Sequence, residues 1–124
     1  METLILAGGV YNITLVIFHL LFWRIFNWNN DLRKLSDVNR GIMKVLNLCL
    51  TFVFILFAYI SLAHSYELLY SRLGHSMLWF MAFFWIFRSI YQLVFFKLNW
   101  ISILFLLYFL LGSAIYLIPV LEVT

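Results

Sequence analysis

The sequence predicts an all-α integral membrane protein, a four-helix antiparallel bundle with both termini on the non-cytoplasmic side. Three observations carry that expectation. The 124 residues are 66% hydrophobic and 10% charged, where a soluble domain carries about 25% charged residues. The apolar residues gather into four runs, 4–26, 42–64, 77–96 and 100–121. Each is near the ~20 residues that a helix needs to cross roughly 30 Å of hydrocarbon. The cations also occupy alternate connectors. Arg33, Lys34 and Arg40 lie between the first two runs, with Arg24 and Lys44 at the edges, and Lys97 lies between the last two. Only Arg72 falls in the middle connector, and the chain ends carry Glu2 and Glu122 with no Lys or Arg. Four crossings put the first and third connectors on one side, and the positive-inside rule makes that side cytoplasmic. The predicted setting is a bacterial cytoplasmic membrane. The longest polar stretch, 27–41, is one connector, so 1–124 is read as a single transmembrane domain.

Span one begins within a few residues of Met1. Met1 to Leu4 lacks a positive charge, and no small-residue cleavage pattern follows before Arg24, so the run is read as a retained span rather than a signal peptide. Gly8 and Gly9 suit a close helix approach, and Trp23 and Trp28 bracket the inner end as interfacial aromatics. Asn27-Trp28-Asn29-Asn30-Asp31 is rich in turn and capping residues. Leu32 and Leu35 share one side of a short helical turn, and Arg33 and Lys34 face elsewhere. This short amphipathic connector is expected to lie on the cytoplasmic surface. Ser36 or Asp37 caps the helix that becomes span two. Ending near His64, that helix is about 40 Å long at 1.5 Å per residue. The connector 65–76 carries Tyr66, Tyr70 and Leu73 for the outer interface, and Gly74 is expected to mark the break before span three. Lys97-Leu98-Asn99 is so short that spans three and four form a hairpin. Pro119, the only proline, is placed where it ends span four.

Lipid tails are as apolar as leucine, so polar and small residues mark the inward faces of membrane helices. At 100° per residue, Asn12, His19 and Trp23 share one face of span one, and Asn47, Thr51, Ala58, Ser61 and Ser65 share one face of span two. Arg88 and Gln92 share a face of span three, and Ser102, Ser113 and Tyr116 share one in span four. Counted from the inner ends of their spans, His19, Asn47, Arg88 and Gln92 lie at comparable depth and are expected to meet in one polar cluster. Hydrogen bonding that merely fixes the bundle accounts for most such residues.

Arg88 resists that explanation. It lies about nine residues from the inner end of its span, hence roughly 13 Å deep. Side chains lean toward the N-terminus of their helix, which aims Arg88 at the bilayer centre. All five acids, Glu2, Asp31, Asp37, Glu67 and Glu122, fall outside the spans, so no intramembrane carboxylate neutralises it. A bound anion, a lipid headgroup or an acidic residue of another subunit remains. The candidate ligand- or partner-binding residues are therefore Arg88, Gln92, His19, Asn47 and Asn12.

Other chemistries find no support. His64 and His75 lie near the outer side, away from His19, so the histidines make neither a haem pair nor a metal set. There is no phosphate-cradling glycine loop, no H-E-x-x-H and no Cys-His pair. The lone Cys49 excludes an internal disulfide. The cations flank spans, where anionic headgroups explain them without nucleic acid. No catalytic residue and no cofactor is predicted.

Asn27-Trp28, Leu32, Leu35, Asn39-Arg40, Trp85, Arg88 and Gln92 together resemble a group of small bacterial four-span membrane proteins of unassigned function. The resemblance spreads over most of the chain and implies the four-span topology and Arg88 as shared features, but no activity. The expected function is that of a non-enzymatic accessory or scaffold subunit whose Arg88 cluster meets a protein partner, a second copy or a lipid headgroup. The alternative is a small oligomeric transporter or anion channel with Arg88 as the anion site.

Overall fold

The computed structural model describes residues 1–124, which are helical throughout apart from short turns and contain no strand. The helices are α1 (Glu2–Leu20), α2 (Phe22–Ile25), α3 (Trp28–Asp31), a 3-10 turn at Leu32–Lys34, α4 (Asp37–Ala63), α5 (Ser65–Tyr70), α6 (Arg72–Phe95) and α7 (Trp100–Val123). Of these, α1, α4, α6 and α7 are long and apolar enough to cross a membrane.

Local sequence sets the starts of three long helices. Ser36 accepts from the Asn39 N–H at 3.2 Å, Ser71 from Gly74 at 2.9 Å and Asn99 from Ser102 at 2.9 Å. Each oxygen satisfies a backbone donor that the first helical turn leaves free.

Burial is inverted relative to a soluble bundle. Asn12, Asn47, Thr51, Ser61, Ser89, Gln92, Ser102 and Ser113 are buried, while Phe52, Phe80, Val94 and Leu107 are exposed. Polar groups inside and apolar groups outside is the arrangement that hydrocarbon solvent favours. The chain is a multi-pass helical membrane bundle.

The helices pack in the order α4, α1, α7, α6, with α4 against α1, α1 against α7 and α7 against α6; the backbones of α4 and α6 stay apart, and aromatic side chains bridge them. Close approach is set by small residues. A Cβ on Gly8 would fall 2.8 Å from the Tyr116 ring, and one on Gly112 would fall 2.5 Å from the Tyr11 hydroxyl. Beside them, the Tyr116 hydroxyl receives the Asn12 Nδ2 donor at 2.7 Å and meets Ser61 Oγ at 2.7 Å. One hydroxyl thereby joins α1, α4 and α7. Tyr11 donates to the Tyr108 carbonyl at 2.9 Å, and Thr14 meets the Tyr108 hydroxyl.

Four expectations are corrected. The first span does not run unbroken to Phe26, because α1 ends at Leu20. The Leu21 N–H is shared between the Ile17 and Phe18 carbonyls, both at 3.1 Å, and the Arg24 N–H reaches only three residues back, to Leu21. That is a 3-10 tightening. The Phe18–Phe22–Phe26 ladder keeps its 4.9 Å ring spacing across the break. Trp28 does not point outward as an exposed aromatic. It is buried, with its ring against Phe22 and Trp23. The break before the third span falls at Ser71, and Gly74 lies inside α6, where a Cβ would sit 2.0 Å from the Glu67 carbonyl oxygen of α5. Pro119 does not end α7, which continues to Val123. Pro119 and Val120 are fully buried, and their packing holds the last turn in place despite the missing donor.

Candidate functional site

The largest opening in the bundle is a cavity of about 490 Å³ lined by 20 residues, 14 of them hydrophobic. α1 contributes Leu15, Phe18 and His19, and Phe22, Phe26 and Trp28 follow from the segment after the break. α4 contributes Met43, Leu50 and Phe54, α6 contributes Phe84, Trp85, Arg88 and Gln92, and α7 contributes Ile101, Ser102, Phe105 and Phe109. Phe96, Lys97 and Asn99, from the α6–α7 turn, line the end nearest the connector. The volume lies within the ~300–1,000 Å³ typical of ligand sites.

The deep end is closed by aromatic rings. Phe54 stacks on Trp85 with centroids 5.5 Å apart, and Phe109 stacks near Trp85 at 6.0 Å. Phe84 meets both Phe54 and Trp85 edge-on. The Trp85 indole nitrogen is buried without a hydrogen-bond partner, so its N–H is held by packing alone.

Arg88 projects into this space, half-buried. Its Nη1 donates to Gln92 Oε1 at 3.2 Å, and Gln92 Nε2 donates to Ser102 Oγ at 2.9 Å. The guanidinium carbon lies 4.2 Å from the Phe109 ring centre and 5.8 Å from that of Phe96. The aromatic faces offset part of the positive charge. Its direction corrects the expectation of a side chain aimed at the bilayer centre. Gln92 and Phe96 draw it one turn toward the C-terminal end of α6. The ion pairs of the chain are Asp37–Arg40 at 2.9 Å and His64–Glu67 at 3.7 Å. No carboxylate reaches Arg88. Of its five N–H donors, one is engaged by a protein acceptor.

The predicted residues divide. Arg88, Gln92 and His19 line one cavity. His19 donates from Nδ1 to the Leu15 carbonyl at 2.9 Å, since a carbonyl only accepts. Its ring stacks on Phe22 at 4.4 Å and leans on Phe54 at 4.8 Å. Asn47 is beside the site rather than in it. Its amide donates to the His19 carbonyl at 3.3 Å, holding α4 to α1. Asn12 is not part of the cluster, because the Tyr116 hydroxyl and the Gly8 carbonyl at 2.8 Å take its amide donors. Its Oδ1 is buried without a partner.

Sequence reasoning missed the aromatic walls. A phenylalanine in a membrane span packs or faces lipid by default, and nothing in its chemistry separates Phe109 from its exposed neighbours. Ser102 was visible as part of a polar stripe. Arg40 was placed on a helix face, yet it clamps the connector. Its Nε donates to the Leu32 carbonyl at 2.9 Å and its Nη2 to the Leu35 carbonyl at 3.0 Å. His75 is occupied by the Leu69 carbonyl at 2.6 Å. The chain matches no protein-family model, and no curated protein or solved structure matches it either.

Proposed function

We propose that this chain is a non-enzymatic accessory or scaffold protein of a bacterial cytoplasmic membrane, and that its cavity holds the anionic headgroup of a lipid on Arg88. The spans are taken to run antiparallel, with both termini outside. The end of the bundle bearing the Trp28 connector, Arg40, Lys44 and Lys97 then faces the cytoplasm.

The carrying observation is an arginine that lines a largely apolar cavity, makes one protein hydrogen bond and has no carboxylate within reach. Charges inside a membrane are paired or serve a ligand, and charge-assisted hydrogen bonds are the strong ones. An anion supplies what the polypeptide omits. A carboxylate of a partner subunit or of a second copy has the same chemistry, but one acidic side chain leaves most of the fourteen apolar lining residues uncovered. The aromatic stack of Phe54, Trp85 and Phe109 closes the deep end, which weighs against the anion-channel alternative.

The test is thermal unfolding of delipidated protein with added anionic or zwitterionic lipid. Ligands that bind only the folded state raise its apparent stability. Anionic lipid is expected to stabilise the parent, and Arg88→Gln is expected to abolish the difference between the two lipid classes. Equal stabilisation of parent and variant by the anionic lipid refutes the proposal.

A further inference from the structure

We infer that the ligand is a single-tailed anionic amphiphile that reaches Arg88 sideways, from the bilayer, through the seam between α4 and α6. This rests on the reading of the cavity as a lipid site and adds the class of lipid and its route.

The route follows from packing. Around the bundle, α4–α1, α1–α7 and α7–α6 approach closely along their backbones, and α4 and α6 are neighbours whose backbones stay apart and which meet through aromatic rings. Met43 and Leu50 of α4 and Phe84 and Arg88 of α6 line the cavity from the two sides of that seam. Met43 is 40% exposed. The seam is closed only toward the other end, where the Phe84 ring meets Phe57 at 5.5 Å and Phe54 at 5.9 Å. Below those rings, the guanidinium is separated from the acyl region by no packed helix.

The class follows from volume, charge and lining. A cavity of about 490 Å³ lies in the lower half of the ~300–1,000 Å³ range of sites that enclose one small ligand, so it encloses one acyl chain and not two side by side. Phe109 offsets the charge of Arg88 through its ring face and takes none of its N–H donors in a hydrogen bond. The guanidinium edge is left to a carboxylate or phosphate oxygen. Lys97 at the connector end adds a second cation. A neutral amphiphile forfeits both charges, and a free inorganic anion forfeits the fourteen apolar walls.

Delipidated protein is mixed with palmitate, with dioleoylphosphatidylglycerol or with inorganic phosphate, and adducts are counted by native mass spectrometry alongside thermal unfolding. One palmitate per chain is expected, with an affinity loss of about tenfold or more in Arg88→Gln and retention in Arg88→Lys. Binding of phosphatidylglycerol or phosphate, but not palmitate, in an Arg88-dependent manner overturns the single-tail inference and leaves the lipid-headgroup reading standing. Binding that ignores the charge at position 88, or none by any probe, overturns both. A palmitate analogue with a diazirine in mid-tail, photolysed on unmodified protein, is expected to label peptides 43–54 and 84–88. Labelling confined to 26–28 and 99–101 overturns the lateral route. That measurement needs no variant to fold.

Discussion

Replacing Arg88 by methionine separates a structural brace from a ligand site. The ledger for the ligand-free protein has three terms. Holding an arginine at the centre of a membrane helix costs about 2.5–3.5 kcal/mol on insertion scales. The Phe109 and Phe96 faces return ~0.5–2 kcal/mol, and the single charged hydrogen bond to Gln92 returns ~1.5–3 kcal/mol. Cost and return nearly cancel. Methionine is of similar length and carries no charge to desolvate, and Gln92 keeps Ser102 as a partner at 2.9 Å. Arg88→Met is therefore expected to change the stability of delipidated protein by about 0.5 kcal/mol at the mid-range of those terms and by no more than about 2.5 kcal/mol at their extremes. The assay is reversible unfolding by a denaturing detergent in bicelles, followed by tryptophan fluorescence. In the presence of palmitate the same variant is expected to lose all ligand-dependent stabilisation. A loss above about 3 kcal/mol without ligand would make Arg88 a brace of the bundle and refute the reasoning.

Three further predictions concern the scaffold. Tyr116→Phe removes the hydroxyl that joins Asn12 and Ser61. At about 0.6 kcal/mol per interhelical bond in lipid, the expected loss is ~1.2 kcal/mol by the same unfolding assay, and no loss would mean that the network contributes nothing. Gly74→Ala places a Cβ 2.0 Å from a backbone oxygen and is expected to lower the melting temperature strongly. Gly41→Ala meets nothing within 4 Å and is expected to be neutral or to stabilise by ~0.5–1 kcal/mol. The reverse order would contradict the contact of α5 with α6. Reporter fusions at Thr124 and within 29–34 are expected to be active outside and inside the cell, respectively. Activity on the same side for both would exclude the proposed topology.

The four helices were legible because a membrane span announces itself by length and apolarity alone, and the inward stripes because polar residues are few. Asn47, Thr51, Ala58 and Ser61 lie buried on α4 as predicted, whereas Ser65, also buried, begins α5 beyond the end of that helix. The break at Leu21 was not legible. It rests on one shared N–H, with no glycine or proline between Val10 and Phe26 to punctuate the run. Gly74 was read as a breaker because an isolated glycine signals a turn locally, whereas its reason here is the backbone of α5, remote from any window on the sequence. At the site, the unpaired charge of Arg88 was visible by elimination, since five acids are easily located. The split between the His19 side and the Asn12 side was not, because depth counted in residues does not tell which hydroxyl an amide meets.

The same physics explains why the cavity persists beside a well-tied half. Tyr116, Asn12, Ser61, Gly8 and Gly112 fasten α1, α4 and α7 by hydrogen bonds and close approach. In water, the poorly packed seam between α4 and α6 would be driven shut by the hydrophobic effect. In a bilayer that force is absent, because an acyl chain wets Met43 or Phe84 as well as another helix does. The seam therefore carries little penalty for remaining open, and the apolar walls alone would admit any lipid tail. Selectivity then falls to the cations of the cavity, the guanidinium of Arg88 within it and Lys97 at its connector end. On the proposed reading, the net stabilisation that Arg88 gives the folded state comes from a ligand, and at a hundredfold excess over the dissociation constant that linkage is worth about 2.7 kcal/mol. That is comparable to the cost of burying the charge, so on the proposed reading lipid occupancy weighs as much in this region's stability as the contacts of the guanidinium with Gln92 and Phe109.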